Sequence, residues 1–283
     1  MYKKTLLDTM LYLVVFLVFQ FVSIAIGAFC IGNGSNTPIN TDPASMASMN
    51  VWCTLASSVL TIAFFGWRRW SPCNGNYINT RPWFTMFWVA CMAIGVIIPL
   101  QYASEQIGLE MPKEYSTLFK GMMGHDLGFL TIGIIGPVAE EMVFRGAILR
   151  RLNDALGHRL RWVAIGVSAL LFGAVHGNAA QGATAFVVGL LLGWMYVRTG
   201  SIVPGVVYHW VNNSTAVLLY RINPQTADMT ITDYYGGNAT HIAIAIVSSL
   251  LIFGAALYQL HMRLQKTPQN KTRTQCQRPN SNP

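Results

Sequence analysis

Long apolar runs decide what this chain can fold into. Crossing the hydrocarbon layer of a membrane takes about 20 mostly apolar residues. Eight stretches qualify, at roughly 6–29, 48–66, 83–101, 127–149, 161–177, 182–197, 201–220 and 240–260. In lipid every backbone N–H and C=O must be paired within the chain, which leaves helices as the economical solution. The sequence therefore predicts an all-α polytopic integral membrane protein with about eight transmembrane helices. Charged residues are only 11% of the chain, against about 25% in ordinary soluble domains. The fifth to seventh runs are short and contain His, Asn or Gln, so their polar groups must face protein rather than lipid.

The basic excess of +8 reads as topology. With the N-terminus in the cytoplasm, every Lys and Arg falls on an inner loop or tail except Lys113, Lys120 and Arg221 outside and Arg145 within a span. The opposite orientation would invert this split and break the positive-inside rule. Nucleic acid is not needed to explain the charge, although attraction to anionic lipid follows from it. The first run is too long for the apolar core of a signal peptide and reads as an anchor. Residues 1–263 read as one membrane domain. Residues 264–283, without apolar periodicity, read as a disordered cytoplasmic tail. Residues 30–47 and 222–239 read as polar outer loops, and 102–126 as an outer segment with a helix along the membrane interface. The expected location is a bacterial inner (plasma) membrane with both termini cytoplasmic. The five cysteines form no CxxC pair; they read as apolar filler, with a Cys30–Cys53 bond left open.

Ionisable groups inside a span are costly and point to function. The first such cluster is "EEMVFR", Glu140 to Arg145. Glu141 and Arg145 are i,i+4 neighbours on one helical face, and Glu140 points away from that face. Arg145 can thus neutralise Glu141 and leave Glu140 free to react. Gly133, Gly136 and Pro137 just before it can kink the helix or admit a close neighbour. The second cluster is "FGAVH", with Phe172 four residues before His176. The third is "HWVNN", where His209 and Asn213 share a face beside Asn212. A carboxylate with an imidazole can take a proton from water, and imidazole and carboxamide can donate to an oxyanion. Two histidines and a glutamate can also ligate zinc, and buried charges can relay protons in a transporter. Neither GxSxG nor HExxH is present. By residue count Glu140 and His209 sit near mid-depth and His176 near the outer surface, so the three can meet only if a helix is kinked, tilted or longer.

The order EExxxR, FxxxH, HxxxN across successive spans resembles the CAAX protease and bacteriocin-processing family, that is, the type II CAAX prenyl endopeptidases and their bacterial Abi relatives. The likeness covers roughly 130–215. It implies an intramembrane, metal-independent glutamic protease of eight spans with no cofactor. Glu140 and His176 would activate water, His209 and Asn213 would form the oxyanion hole, and Glu141, Arg145 and Phe172 would support them. The implied substrate is a membrane-embedded or lipid-linked peptide or protein, prenylated or of the bacteriocin or pheromone type. The competing reading is a non-catalytic immunity or scaffold protein, or a transporter, using the same charges.

The charge split makes topology testable. In a cysteine-free background, single cysteines at Ser35, Lys113 and Asp233 should react with a membrane-impermeant thiol reagent in intact cells. Cysteines at Asn76, Asn153 and Asn270 should react only after permeabilisation. Shielding of Asp233 together with labelling of Asn270 in intact cells would mean that the last span is inverted.

Overall fold

The computed structural model describes residues 2–33, 42–72 and 76–264. Residues 34–41 of the outer loop, Cys73, Cys276 and the tail from 265 lie outside the described residues, as do the labelling positions Ser35 and Asn270. Among the described residues the chain is all-helical, with no strand. The principal helices are α1 (Tyr2–Asn33), α2 (Pro43–Trp67), α3 (Trp83–Gln106), α4 (Lys113–Gly124), α5 (Phe129–Leu156), α6 (Arg161–Ala174), α7 (Ala179–Thr199), α8 (Val203–Ile222) and α9 (Ala239–Arg263). Starts and stops follow local chemistry. Asp42 caps α2 by accepting from the N–H groups of Ala44 and Ser45, with Pro43 at its first position; both features suit a helix N-terminus. Asn178 and Asn238 cap α7 and α9 in the same way. Gly200 ends α7 in the left-handed conformation.

Each of the eight apolar runs forms a helix, but not each meets the length and polarity of a span. Five helices do so by length and composition: Tyr2–Cys30, Pro43–Trp67, Trp83–Gln106, Ala179–Thr199 and Ala239–Arg263. A sixth is counted if α4 and α5, bent by 98° at their junction, form one broken or re-entrant span. The count of about eight is therefore not established. α6 has 14 residues and reaches about 21 Å, short of roughly 30 Å of hydrocarbon. α8 has 20 residues but carries His209, Asn212, Asn213, Ser214 and Thr215. Its neighbours α3, α4, α5 and α7 pack around it and give these groups protein rather than lipid.

Two apolar cores flank that central helix. One joins α1, α2, α5 and α6 through Phe16, Phe65, Phe144, Ile148, Ile165 and Phe172. The other joins α3, α7, α8 and α9 through Val89, Met92, Leu192, Met195, Tyr208 and Leu260. Leu264, just past α9, is buried in this second core. α4 lies against α2 and α8, and its junction with α5 is tied by Arg221, which donates to the carbonyls of Met123 and His125. Cys30 is exposed, Cys53 is buried, and both are free thiols; the Cys53 thiol donates to the Ser23 carbonyl at 3.1 Å.

The tightest helix contact in the second core is between α3 and α9. A Cβ at Gly95 would sit 2.7 Å from the Phe253 backbone nitrogen and 3.0 Å from the Ser249 carbonyl oxygen. Neither backbone atom can give way without moving a helix. Gly95→Ala should therefore destabilise the protein by about 1–3 kcal/mol in thermal unfolding in detergent. Gly254→Ala on α9 is the control: its Cβ would meet nothing within 4 Å, so it should be neutral or slightly stabilising. Equal effects of the two substitutions would contradict this packing.

Candidate active site

The site is built where α5 departs from α-helical geometry. Phe129–Ile135 and Met142–Leu149 are π-helical, and between them Gly136–Glu141 is one short α segment. π turns inside helices concentrate at functional sites. The first has a sequence cause. The Gly136 N–H reaches back to the Thr131 carbonyl, and Pro137 has no N–H to give. The Ile132 carbonyl thus loses both of its helical donors. Asn213 on α8 replaces them, its Nδ2 donating to Ile132 O at 3.1 Å. One turn earlier on α8, Trp210 donates its indole N–H to the Ile134 carbonyl at 2.8 Å. The second π segment is met from the other side, where Ser168 Oγ on α6 donates to Phe144 O at 2.8 Å.

Glu141 and Arg145 form a buried ion pair. Arg145 Nη1 donates to Glu141 Oε1 at 2.7 Å, and the side chains are 1% and 0% exposed for Arg145 and Glu141. Arg145 also donates weakly to the Gly189 carbonyl at 3.4 Å, and its guanidinium lies 4.4 Å from the centre of the Phe172 ring. Gly205 of α8 closes the other side: a Cβ there would overlap Glu141 Oε2 at 2.2 Å. A glycine is required for α8 to approach this carboxylate.

Glu140 is placed differently. Its side chain is 29% exposed, and its Oε2 lies 3.5 Å from His209 Nε2. His209 Nδ1 lies 3.7 Å from Glu141 Oε1. The imidazole thus faces both carboxylates, at the edge of hydrogen-bond range or beyond it, and Nδ1 has no hydrogen-bond partner among the described residues. His176 lies in the turn after α6, not within the helix, with Nδ1 2.8 Å from the Phe172 carbonyl. The rings of His176 and His209 both stand edge-on to Phe172, at 5.0 and 5.7 Å between centroids. His176, placed near the outer surface by residue count, thus shares the Phe172 ring with His209. Both histidines and Arg145 converge around the Phe172 ring. Asn213 is joined to the set through the backbone of α5, and its Oδ1 accepts from Asn212 Nδ2 at 3.3 Å.

The resemblance implied that Glu140 and His176 share the activation of water; the imidazole that lies against Glu140 is that of His209. Sequence reasoning also passed over Trp210, Ser168 and Gly205. Trp210 lies inside the HxxxN motif, one residue after His209, and its position there is the signal that could have found it. Among the described residues no three His, Cys, Asp or Glu side chains are grouped so as to hold a metal ion.

The profile of the family described as type II CAAX prenyl endopeptidase Rce1-like matches residues 126–215, the segment that contains all of these side chains. The match falls on the same segment as the three motifs. The chain is 25% identical over 151 residues, 51% of its length, to the membrane-embedded CAAX protease MroQ of Staphylococcus aureus (strain USA300), and the match spans 60% of that protein. It is 29% identical over 159 residues to an uncharacterised 24.3 kDa protein of Escherichia coli, covering 53% of this chain and 70% of that protein. No solved structure matches the chain. The apolar helices and the family together place the protein in a membrane.

The buried pair predicts an asymmetric mutational response. Glu141→Gln leaves Arg145 charged in a dry interior and should cost about 3–5 kcal/mol. The double variant Glu141→Gln, Arg145→Met removes both charges and should regain most of that loss. Thermal unfolding of the three proteins in detergent checks it; a double variant no more stable than Glu141→Gln would contradict the ion-pair account.

Proposed function

We propose that the chain is an intramembrane glutamic endopeptidase that cleaves a membrane-embedded or lipid-linked peptide or protein. The observation that supports this reading best is the unequal treatment of two adjacent carboxylates. Glu141 is consumed by Arg145, while Glu140 stays partly open beside His209. A carboxylate in a site of scarce water, held next to an imidazole, is suited to general-base work. The family match over 126–215 supports a membrane protease role.

The proposed reaction begins with water held between Glu140 and an imidazole. Glu140 takes a proton from the water as its oxygen attacks the scissile carbonyl carbon. Charge then develops on the carbonyl oxygen. Asn213 Nδ2 spends one N–H on Ile132 and keeps a second, which with His209 can stabilise that oxyanion. Collapse of the tetrahedral intermediate breaks the C–N bond, and the proton held by Glu140 passes to the leaving amine. His176, on the same Phe172 ring, orients the water. Arg145 and Glu141 act by position, fixing α5 so that Glu140 faces His209. In the cell the protein is proposed to sit in a bacterial inner membrane with both termini cytoplasmic, as the charge split suggests.

Glu140→Gln keeps the shape of the side chain and removes the base. Cleavage of membrane-anchored reporter peptides should fall roughly 10³-fold or more, with insertion and thermal stability unchanged; near wild-type turnover would sink the assignment. The reaction as proposed needs no metal. Elemental analysis of active protein should find no stoichiometric zinc, and chelators should leave turnover intact. About one zinc per chain, lost with activity and restored with it, would replace this mechanism by metal-assisted hydrolysis.

A further inference from the structure

Away from the site, three helices leave a groove open on the outer wall of the protein. α7 supplies its floor through Leu190, Leu191 and Trp194. Trp162 of α6 forms one wall, and Leu257, Tyr258 and His261 of α9 form the other. The groove encloses about 470 Å³, in the range of sites that hold small ligands. Gly254 faces its open space, since a Cβ there would meet no atom within 4 Å. Among the described residues no carboxylate lines it.

One end of the groove is aromatic and basic. Arg198, one turn beyond Trp194, lies with its guanidinium 5.8 Å from that ring and donates to the His261 carbonyl at 2.6 Å. α6 begins at Arg161, directly before Trp162, and the buried Arg161 Nε has no hydrogen-bond partner among the described residues. An indole or phenol at the head of an apolar slot suits the membrane interface, and guanidinium groups suit phosphate. This end lies on the side that the Lys and Arg distribution assigns to the cytoplasm, where anionic lipids concentrate. A zwitterionic lipid would gain only the burial of its chain; an anionic one would also match the charge.

We propose that this groove binds one acyl chain of an anionic phospholipid, with the headgroup held at the Arg198 and Arg161 end. None of the lining residues belongs to the Glu140 site, so the proposal stands apart from the protease reading. The test is native mass spectrometry of the purified full chain with phosphatidylglycerol or phosphatidylcholine of matched chains. The wild type should retain phosphatidylglycerol about fivefold more than phosphatidylcholine, the increment of roughly one arginine contact. Arg198→Gln and Arg161→Gln should each erode that preference, and together abolish it. Gly254→Leu, which fills the groove, should cut retention of both lipids. Equal retention of the two lipids by the wild type, a preference that survives in the double arginine variant, or unchanged retention in Gly254→Leu would each overturn the proposal. Should Gly254→Leu fail to fold, the arginine variants decide, because they alter only the headgroup end.

Discussion

A charge pair with almost no access to water organises the middle of this protein. Arg145 and Glu141 cannot be solvated where they stand, and an ion removed from water carries a penalty of several kcal/mol. The surroundings answer part of each charge, while Glu141 Oε2 and Arg145 Nε have no hydrogen-bond partner among the described residues. Glu141 takes a short hydrogen bond from Arg145. Arg145 gains the Phe172 ring face and the Gly189 carbonyl. Gly205 lets a third helix close over the carboxylate. Three helices are thereby held to one point: α6 through Phe172, α7 through Gly189 and α8 through Gly205. Their packing in turn sets which way Glu140, the adjacent residue on α5, must face.

The backbone of α5 is the second half of this arrangement. A regular helix would pair its carbonyls internally and give α8 nothing to hold. By widening before Pro137, α5 frees the Ile132 carbonyl, and Asn213 takes it. Trp210 does the same for Ile134. Two side chains that follow His209 in sequence therefore pin α8 to α5, so His209 is held near the carboxylates without a strong bond of its own. An imidazole at 3.5 Å and 3.7 Å from two carboxylates can close to a hydrogen bond with either by a small shift. That looseness is what a site needs if it must pass protons rather than only store charge.

Much of this was legible in the residues and some was not. Apolar runs marked the helices, because lipid leaves the backbone few other options. The i,i+4 spacing of Glu141 and Arg145 marked their contact, because it depends only on local helix geometry. The number of spans was harder, since α6 is too short to cross alone and α8 owes its burial to neighbours rather than to its own apolarity. The π segments were beyond a reading based on 3.6 residues per turn; Gly136 and Pro137 gave notice of a disturbance but not of its form. Gly205 could not be distinguished from the other 24 glycines, because its role is defined by a carboxylate more than 60 residues away in sequence. The pairing of Glu140 with His209 rather than His176 likewise depends on how three helices cross.

The central claim is that Glu140 is the base of a peptide hydrolase, and comparison of membrane peptides tests it whatever the substrate proves to be. Membranes from cells expressing the wild-type protein and Glu140→Ala at equal levels would be compared by mass spectrometry of protein and peptide termini. The account predicts new termini, on membrane-anchored proteins or peptides, that appear with the wild type and are absent with the variant. Identical sets of termini from the two membranes, with both proteins folded and inserted, would contradict it.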